Sequence, residues 1–215
     1  MHIGIIMKFR FYALKLCLFM ILVFLVQLFI LGFTDFFVLN GQAWTQIWRF
    51  LTSVFLHASL THLIYNLFAL ALFGSILESI VGGRKFLLIF ILTGLLANVI
   101  AVNFYASSLG ASGAIFGVIG ALVAIRPFLL VWAFGLPMPI FVAGLLWGVG
   151  DLIGAYGFFS GNPIDNTGNI AHLSGMFFGF VFGLLFRERV IRKIKRQKAR
   201  LDEREVRRWE DSYLK

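Results

Sequence analysis

Residues Leu14–Phe33 read LKLCLFMILVFLVQLFILGF. About 20 predominantly apolar residues in a row cross a hydrocarbon core roughly 30 Å thick as one helix. The block is long for the apolar region of a cleaved signal peptide, no small-x-small cleavage pattern follows it, and further apolar blocks come after it. It is therefore read as a membrane span that is retained. Its single cysteine, Cys17, is the only one in the chain. One cysteine excludes an intrachain disulfide, and no zinc-ligand spacing is present. Cys17 is read as a small lipid-facing or packing residue.

The rest of the chain has the same character. Hydrophobic residues make up 60% of the 215 positions, charged residues only 13%, and the mean hydropathy is +0.91. A water-soluble domain of this length needs more polar surface. Six spans are predicted: Leu14–Phe33, Thr61–Ser79, Phe86–Phe104, Ser112–Ile125, Pro139–Tyr156 and Ile170–Phe186. The apolar stretch Phe128–Pro137 is bracketed by Pro127, Pro137 and Pro139. It is read as an extended or re-entrant connection, because a residue preceding proline avoids the helical region. The expected fold is thus an all-α polytopic membrane bundle. Its core is 14–186, with a cytoplasmic segment 1–13 before it and a basic, helical tail 187–215 after it. No internal repeat or low-complexity linker suggests a second domain.

Basic residues orient this bundle. Lys8, Arg10, Lys15, Arg84, Lys85, Arg126 and the twelve of the tail account for eighteen of the nineteen lysines and arginines, all on one side of a six-span arrangement. Only Arg49 falls on the other side, together with the acids Asp35 and Asp165. The positive-inside rule then places both termini in the cytoplasm. The net charge of +9 is read as a tail held near anionic lipid headgroups. It is not read as a nucleic-acid surface, since no aromatic–basic interleaving or known module is visible.

Polar residues inside spans are costly and are usually kept for a function or a specific contact. The candidates are His62, Asn66, Glu78, Asn98, Asn103, Ser112, Asp151 and His172. With the amino terminus inside, even-numbered spans run inward. His62 and Asn66 start the second span, Ser112 starts the fourth and His172 starts the sixth. All four fall at similar depth in the outer half of the membrane.

These residue types suit acyl transfer. A serine hydroxyl becomes a useful nucleophile when a base accepts its proton, and neutral imidazole is such a base. Ser112 lies in Gly110-Ala111-Ser112-Gly113, where glycine permits a tight turn and close backbone approach. Its position at a helix amino terminus supplies free N–H groups to a developing oxyanion. His62 and Asn66, spaced i, i+4, share one helical face and offer two more donors. Gly113, Gly117, Gly120 and Ala124 form a small-residue stripe on the fourth span. His172, Gly175, Gly179 and Gly183 form one on the sixth, so the two helices are expected to pack closely.

Gly148-Val149-Gly150-Asp151 has the form of an aspartyl-protease motif, but that chemistry needs two carboxylates in one site. The other acid within a span, Glu78, lies at the opposite end of the bundle. His57 and His62 lack the H-E-x-x-H arrangement of a zinc protease. Asn98 and Asn103 are expected to bond between helices or cap them. Polar groups crossing both leaflets, as a channel or transporter would carry, are missing from the pattern.

Together these pieces resemble the rhomboid intramembrane serine proteases in their minimal six-span prokaryotic form. The resemblance rests on Trp48-Arg49, His57, His62-Leu-Ile-Tyr-Asn66, Gly110-Ala-Ser112-Gly113, Pro137-Met-Pro139 and Ala171-His172-Leu-Ser-Gly175, in that order. It implies a Ser112–His172 dyad with no carboxylate third member, and no acid is found well placed to be one. It implies an oxyanion site from Ser112, Gly110, His62 and Asn66, supported by Gly113, Gly175 and His57, the last at the outer entrance. The first outer loop, with Trp44, Trp48 and Phe50, is implied to lie partly in the lipid interface. Access from the lipid is implied to pass the fifth span and the loop Phe158–Gly168. The substrates implied are single-span membrane proteins, the compartment a prokaryotic inner membrane, and no metal or organic cofactor is implied. A proteolytically silent relative that binds or escorts membrane helices has the same fold, but such relatives usually lack the serine or the histidine, and both are present here.

Overall fold

The computed structural model describes residues 10–164 and 167–213. The expectations for Lys8, for the first nine residues of the segment 1–13 and for Asp165 lie outside the described residues. Among these, six apolar helices form the bundle: α1 (Tyr12–Phe29), α2 (Leu60–Val81), α3 (Gly83–Ala101), α4 (Ser112–Ile125), α5 (Ile140–Phe159) and α6 (Asn169–Tyr213). Five are long and apolar enough to cross a membrane, and α4 is a shorter apolar helix of 14 residues. Large apolar side chains such as Leu18, Leu22 and Leu25 of α1 and Leu145, Leu152 and Ile153 of α5 face outward. An apolar exterior of this extent is a lipid-facing one. The expected all-α polytopic membrane fold is the fold of the chain.

Local sequence explains the helix ends. Ser59 caps α2, its Oγ accepting from His62 N–H at 3.1 Å. Glu78, fully buried, caps α1 from another helix: its two carboxylate oxygens accept from the Arg10 and Ala13 N–H groups, each at 3.1 Å. A carboxylate at a helix amino terminus meets free donors and a favourable dipole. The first turn of α6 is capped by Tyr105, whose hydroxyl accepts from Ile170 N–H at 3.0 Å. Helix α2 contains a π-turn at Leu70–Gly74, where Gly74 lies tight against Ala13 of α1 and Phe86 of α3.

Helix α4 is the axis of the bundle, buried along nearly its whole length. Its small-residue stripe meets that of α6 backbone to backbone. A Cβ added to Gly175 would overlap the Gly113 carbonyl, and one on Gly179 would overlap the Gly117 carbonyl. Contact of this kind replaces the hydrophobic effect, which gives no drive for helix association within lipid.

The stretch Phe128–Pro137 is extended, as its prolines predict, and it forms a hairpin. Strands β3 (Leu130–Ala133) and β4 (Leu136–Pro139) pair antiparallel; β1 (Leu39–Asn40) and β2 (Ser107–Ser108) form a second small pair. Phe134 and Gly135 turn the hairpin with φ of 54° and 76°, the mirror-image geometry that suits strand twist. Val131 and Ala133 face the core while Leu130 and Trp132 face outward.

The tail is helical in its described part, but it is not a separate element. Helix α6 runs unbroken from Asn169 to Tyr213, so residues 187–213 continue the helix of the last apolar segment. No glycine or proline interrupts it after Gly183.

Candidate active site

A cavity of ≈ 1220 Å³ opens among α2, α4, α5, α6 and the hairpin tip. Ser112, His172, His62, Asn66, Gly110 and Gly113 all line it. These residues come from three helices and the loop before α4.

Each is held by identifiable contacts. Ser112 is the first residue of α4, half-buried at the cavity wall. Before it, Gly110 has φ +123°, a conformation open to glycine, and its N–H donates to Ser53 O at 2.9 Å. The His62 ring covers Gly110 so closely that a Cβ there would come within 2.7 Å of it. Ala58 N–H donates to His62 Nδ1 at a long 3.5 Å, which leaves Nε2 as the protonated nitrogen. Asn66 is buried, and its Nδ2 donates to His62 O at 2.8 Å; the second Nδ2 hydrogen remains for the cavity.

His172 is buried. Phe116, one turn below Ser112, stacks on its ring with centroids 4.3 Å apart and planes 10° apart. Gly113, beside Ser112, packs against the Ala171 carbonyl and Gly175. The hydroxyl and the imidazole thus face one cavity from adjoining helices. No direct hydrogen bond joins them among the described residues; such bonds often tighten only when substrate is bound.

Two expectations need correction. The first concerns acids. His172 Nδ1 lies 3.0 Å from Asp151 Oδ1, and both residues are buried. An acid is therefore well placed beside the imidazole. Asp151 lies in the second half of α5, and this brings it to the depth of the sixth span's first turns. Depth was the signal for it; which face of α5 meets α6 was not readable. Asp151 remains apart from Glu78, which is engaged at the start of α1.

The second concerns His57. It does not line the main cavity; its ring is buried behind α2, edge-on to His62 with centroids 5.1 Å apart. The reason is Gln27 of α1, whose amide clamps the His57 peptide: Oε1 accepts from His57 N–H at 3.0 Å and Nε2 donates to His57 O at 3.2 Å. Sequence reasoning missed both Gln27 and Phe116: the partner of Gln27 is backbone, which no pattern names, and Phe116 is one of 26 phenylalanines with nothing in the chain to mark its stack on His172.

Burial, and then the neighbouring His62, push the His57 imidazole down to about 4. In the unfolded chain it titrates near 6.5. As pH falls, the unfolded chain takes up this proton first, so the stability His57 contributes is present above about 6.5 and is lost between about 6.5 and 4. The melting temperature in detergent should fall across this window for the wild type and fall less for His57→Gln. Equal pH dependence of the two proteins rejects this account.

The loop between α1 and α2 is organised by Arg49, which is buried. Its guanidinium donates to Asp35 O at 2.8 Å, Val38 O at 2.7 Å and Gln46 Oε1 at 2.7 Å. Asn98 joins that loop to α3, donating to Phe50 O at 2.8 Å and Ser53 Oγ at 3.0 Å. Asn103 bonds carbonyls of its own helix end. No group of three or more metal-ligating side chains exists among the described residues.

A multi-helix membrane protein with a cavity lined by serine, histidine and asparagine among apolar residues is the class that the fold and site define. Comparison with known sequences gives the family. The Rhomboid domain matches residues 44–189. The chain is similar to RHOMBOID-like protein 7 of Arabidopsis thaliana, 32% identical over 148 residues, 65% of this chain and 43% of that protein. It is similar to Rhomboid protease GluP of Bacillus subtilis, 35% identical over 61% of this chain and 25% of that one. With Rhomboid protease GlpG of Haemophilus influenzae it shares 30% identity over 175 residues, 77% of this chain and 85% of that one. The aligned part thus covers less than half the length of the first two relatives. The chain belongs to the rhomboid family.

Proposed function

We propose that this protein is an intramembrane serine endopeptidase that cleaves within or beside the transmembrane segment of single-span membrane proteins. The observation that carries the reading is one cavity in which a helix-start serine, a buried histidine and two side-chain donors converge. Two relatives carry the name rhomboid protease, which supports it.

In this reading Ser112 Oγ attacks the scissile carbonyl and its proton passes to His172 Nε2. The carbonyl oxygen becomes an oxyanion facing the Ser112 N–H, His62 Nε2–H and Asn66 Nδ2–H, with Gly110 leaving room for it. The amine leaves with the proton from Nε2, and the acyl-enzyme is hydrolysed by water admitted to the cavity. Six spans cross the membrane in this reading, with residues 14–186 as the catalytic core. Both termini lie in the cytoplasm, and the basic tail 187–215 is attracted to anionic lipids. Substrate helices must unwind before cleavage, because a helical peptide bond is shielded by its own hydrogen bonds.

Removing one oxyanion donor typically costs about 10²–10³ in turnover. Asn66→Ala should lower the cleavage rate by roughly this order, with the melting temperature nearly unchanged; loss of less than ~5-fold excludes Asn66 from the site. The reading as a whole is tested with the purified full chain and a fluorophosphonate probe beside Ser112→Ala. Labelling of wild type alone supports it. Equal labelling of both, or of neither under conditions that label a known serine protease, leaves a helix-binding relative without catalysis.

A further inference from the structure

We propose that Asp151 is a third, positioning member of the reacting group, accepting a hydrogen bond from His172 Nδ1–H and fixing the imidazole for proton transfer at Nε2. The inference rests on the serine-protease reading above and deepens it.

The geometry is specific. The Nδ1–Oδ1 distance is 3.0 Å, with Asp151 6% and His172 8% exposed. A carboxylate is only an acceptor, so the proton of neutral imidazole is held on Nδ1 and the lone pair is left on Nε2. Phe116 stacks on one ring face and fixes the plane; Asp151 then fixes the rotation within it. Two constraints at right angles leave the ring one orientation.

The cost of this acid argues for a role. An ionisable residue in a membrane helix is expensive and is seldom kept for packing alone. Asp151 Oδ2 is buried with no hydrogen-bond partner among the described residues, so the carboxylate is not satisfied as a structural network would satisfy it. Among the described residues its one polar side-chain contact is with His172. That contact strengthens when the imidazole gains a proton, because a neutral–anionic hydrogen bond becomes an ion pair in a poorly solvated site. An interaction stronger in the transition state than in the ground state accelerates the reaction.

The proton balance is simple. The Ser112 proton moves to His172 Nε2 as the Oγ–carbon bond forms. It moves on to the leaving amine as the carbon–nitrogen bond breaks. In the second half, water gives a proton to Nε2 and Ser112 Oγ recovers it. Nδ1–H stays between His172 and Asp151 throughout; Asp151 neither takes nor gives a proton.

The titratable groups facing His172 are few among the described residues: His62 from α2, Asp151 from α5, and the Tyr105 hydroxyl at the Ile170 N–H. Helices α3 and α4 present Asn98, Ser112 and Phe116, none of which titrates in the neutral range. His62 is common to wild type and every Asp151 variant, so a difference between their pH profiles reads this pair.

The test measures the rate of fluorophosphonate labelling against pH for the full chain in detergent, as wild type, Ser112→Ala, Asp151→Asn, Asp151→Glu and Asp151→Ala. Asparagine can donate to Nδ1 and so favours the wrong tautomer; Asp151→Asn should label on the order of 10²-fold more slowly or worse. The acid limb of its pH profile should differ from that of wild type, since the carboxylate charge beside the imidazole is gone. Asp151→Glu should stay within about 10-fold of wild type, because it keeps the charge. Formate should restore part of the rate of Asp151→Ala. Wild type that labels beside an Asp151→Asn within ~3-fold of it, with the same profile, overturns the role of Asp151 and leaves the protease standing. Slowing that tracks only a lost melting temperature, with the acid limb unmoved, overturns it as well. If Asp151→Asn does not fold, Asp151→Ala decides: rescue by formate supports the role and no rescue rejects it. Wild type that fails to label overturns both readings together.

Discussion

Ser112→Ala and His172→Ala are each expected to reduce cleavage of a tagged single-span substrate by 10⁴-fold or more, to about the background rate. The double variant is expected to be no worse than either single one. Residues that act in one proton transfer are not additive: once the hydroxyl is gone the base has nothing to activate, and the reverse holds too. Cleavage in liposomes, with products identified by mass spectrometry, checks this. Costs that multiply in the double variant would mean that the two side chains work separately, and the serine-protease reading would then be abandoned.

The second large effect is on stability. Gly179→Ala adds one methyl group where the Gly117 backbone already stands. Neither helix has a side chain there that can swing aside, so α4 and α6 must move apart. Overpacking of this kind costs about 1–3 kcal/mol, and contact with rigid backbone puts this site at the upper end. For a chain of this size that is roughly a 6–12 °C fall in melting temperature. Activity should fall further than stability, since a displacement of ~1 Å between reacting groups costs about 10²-fold. Gly150→Ala is the matched control. A Cβ at Gly150 meets nothing within 4 Å, and its melting temperature should be unchanged or slightly higher. Equal melting temperatures for the two variants would remove the glycine seam as the source of helix association.

Much of this site was legible in the chain because lipid makes polar residues conspicuous. His62, Asn66, Ser112 and His172 interrupt apolar helices, and counting spans brings them to one depth without any knowledge of packing. The small-residue stripes on α4 and α6 were legible for the same reason, as glycine every three or four residues has a direct packing consequence. Asp151 was visible as a costly residue but not as a neighbour of His172. Rotation of α5 about its axis decides that contact, and α5 is apolar almost all round, so periodicity does not reveal its inner face. Gln27 was missed because its partner is the backbone of residue 57, which any sequence supplies. The hairpin was legible as extended from its prolines, but strand pairing at Leu130–Pro139 depends on a turn at Phe134-Gly135 whose first residue is an unusual choice for positive φ.

The unbroken course of α6 makes the bilayer itself a ruler for the imidazole. Arg187 is the first cation of the helix and cannot sink into hydrocarbon without penalty. His172 precedes it by fifteen residues on the same straight helix, about 22 Å along the axis. If the basic tail lies at a headgroup layer, as proposed above, that layer holds the His172 imidazole about three quarters of the way across a core of roughly 30 Å. Thicker or thinner membranes would raise or lower the tail and the imidazole as one piece.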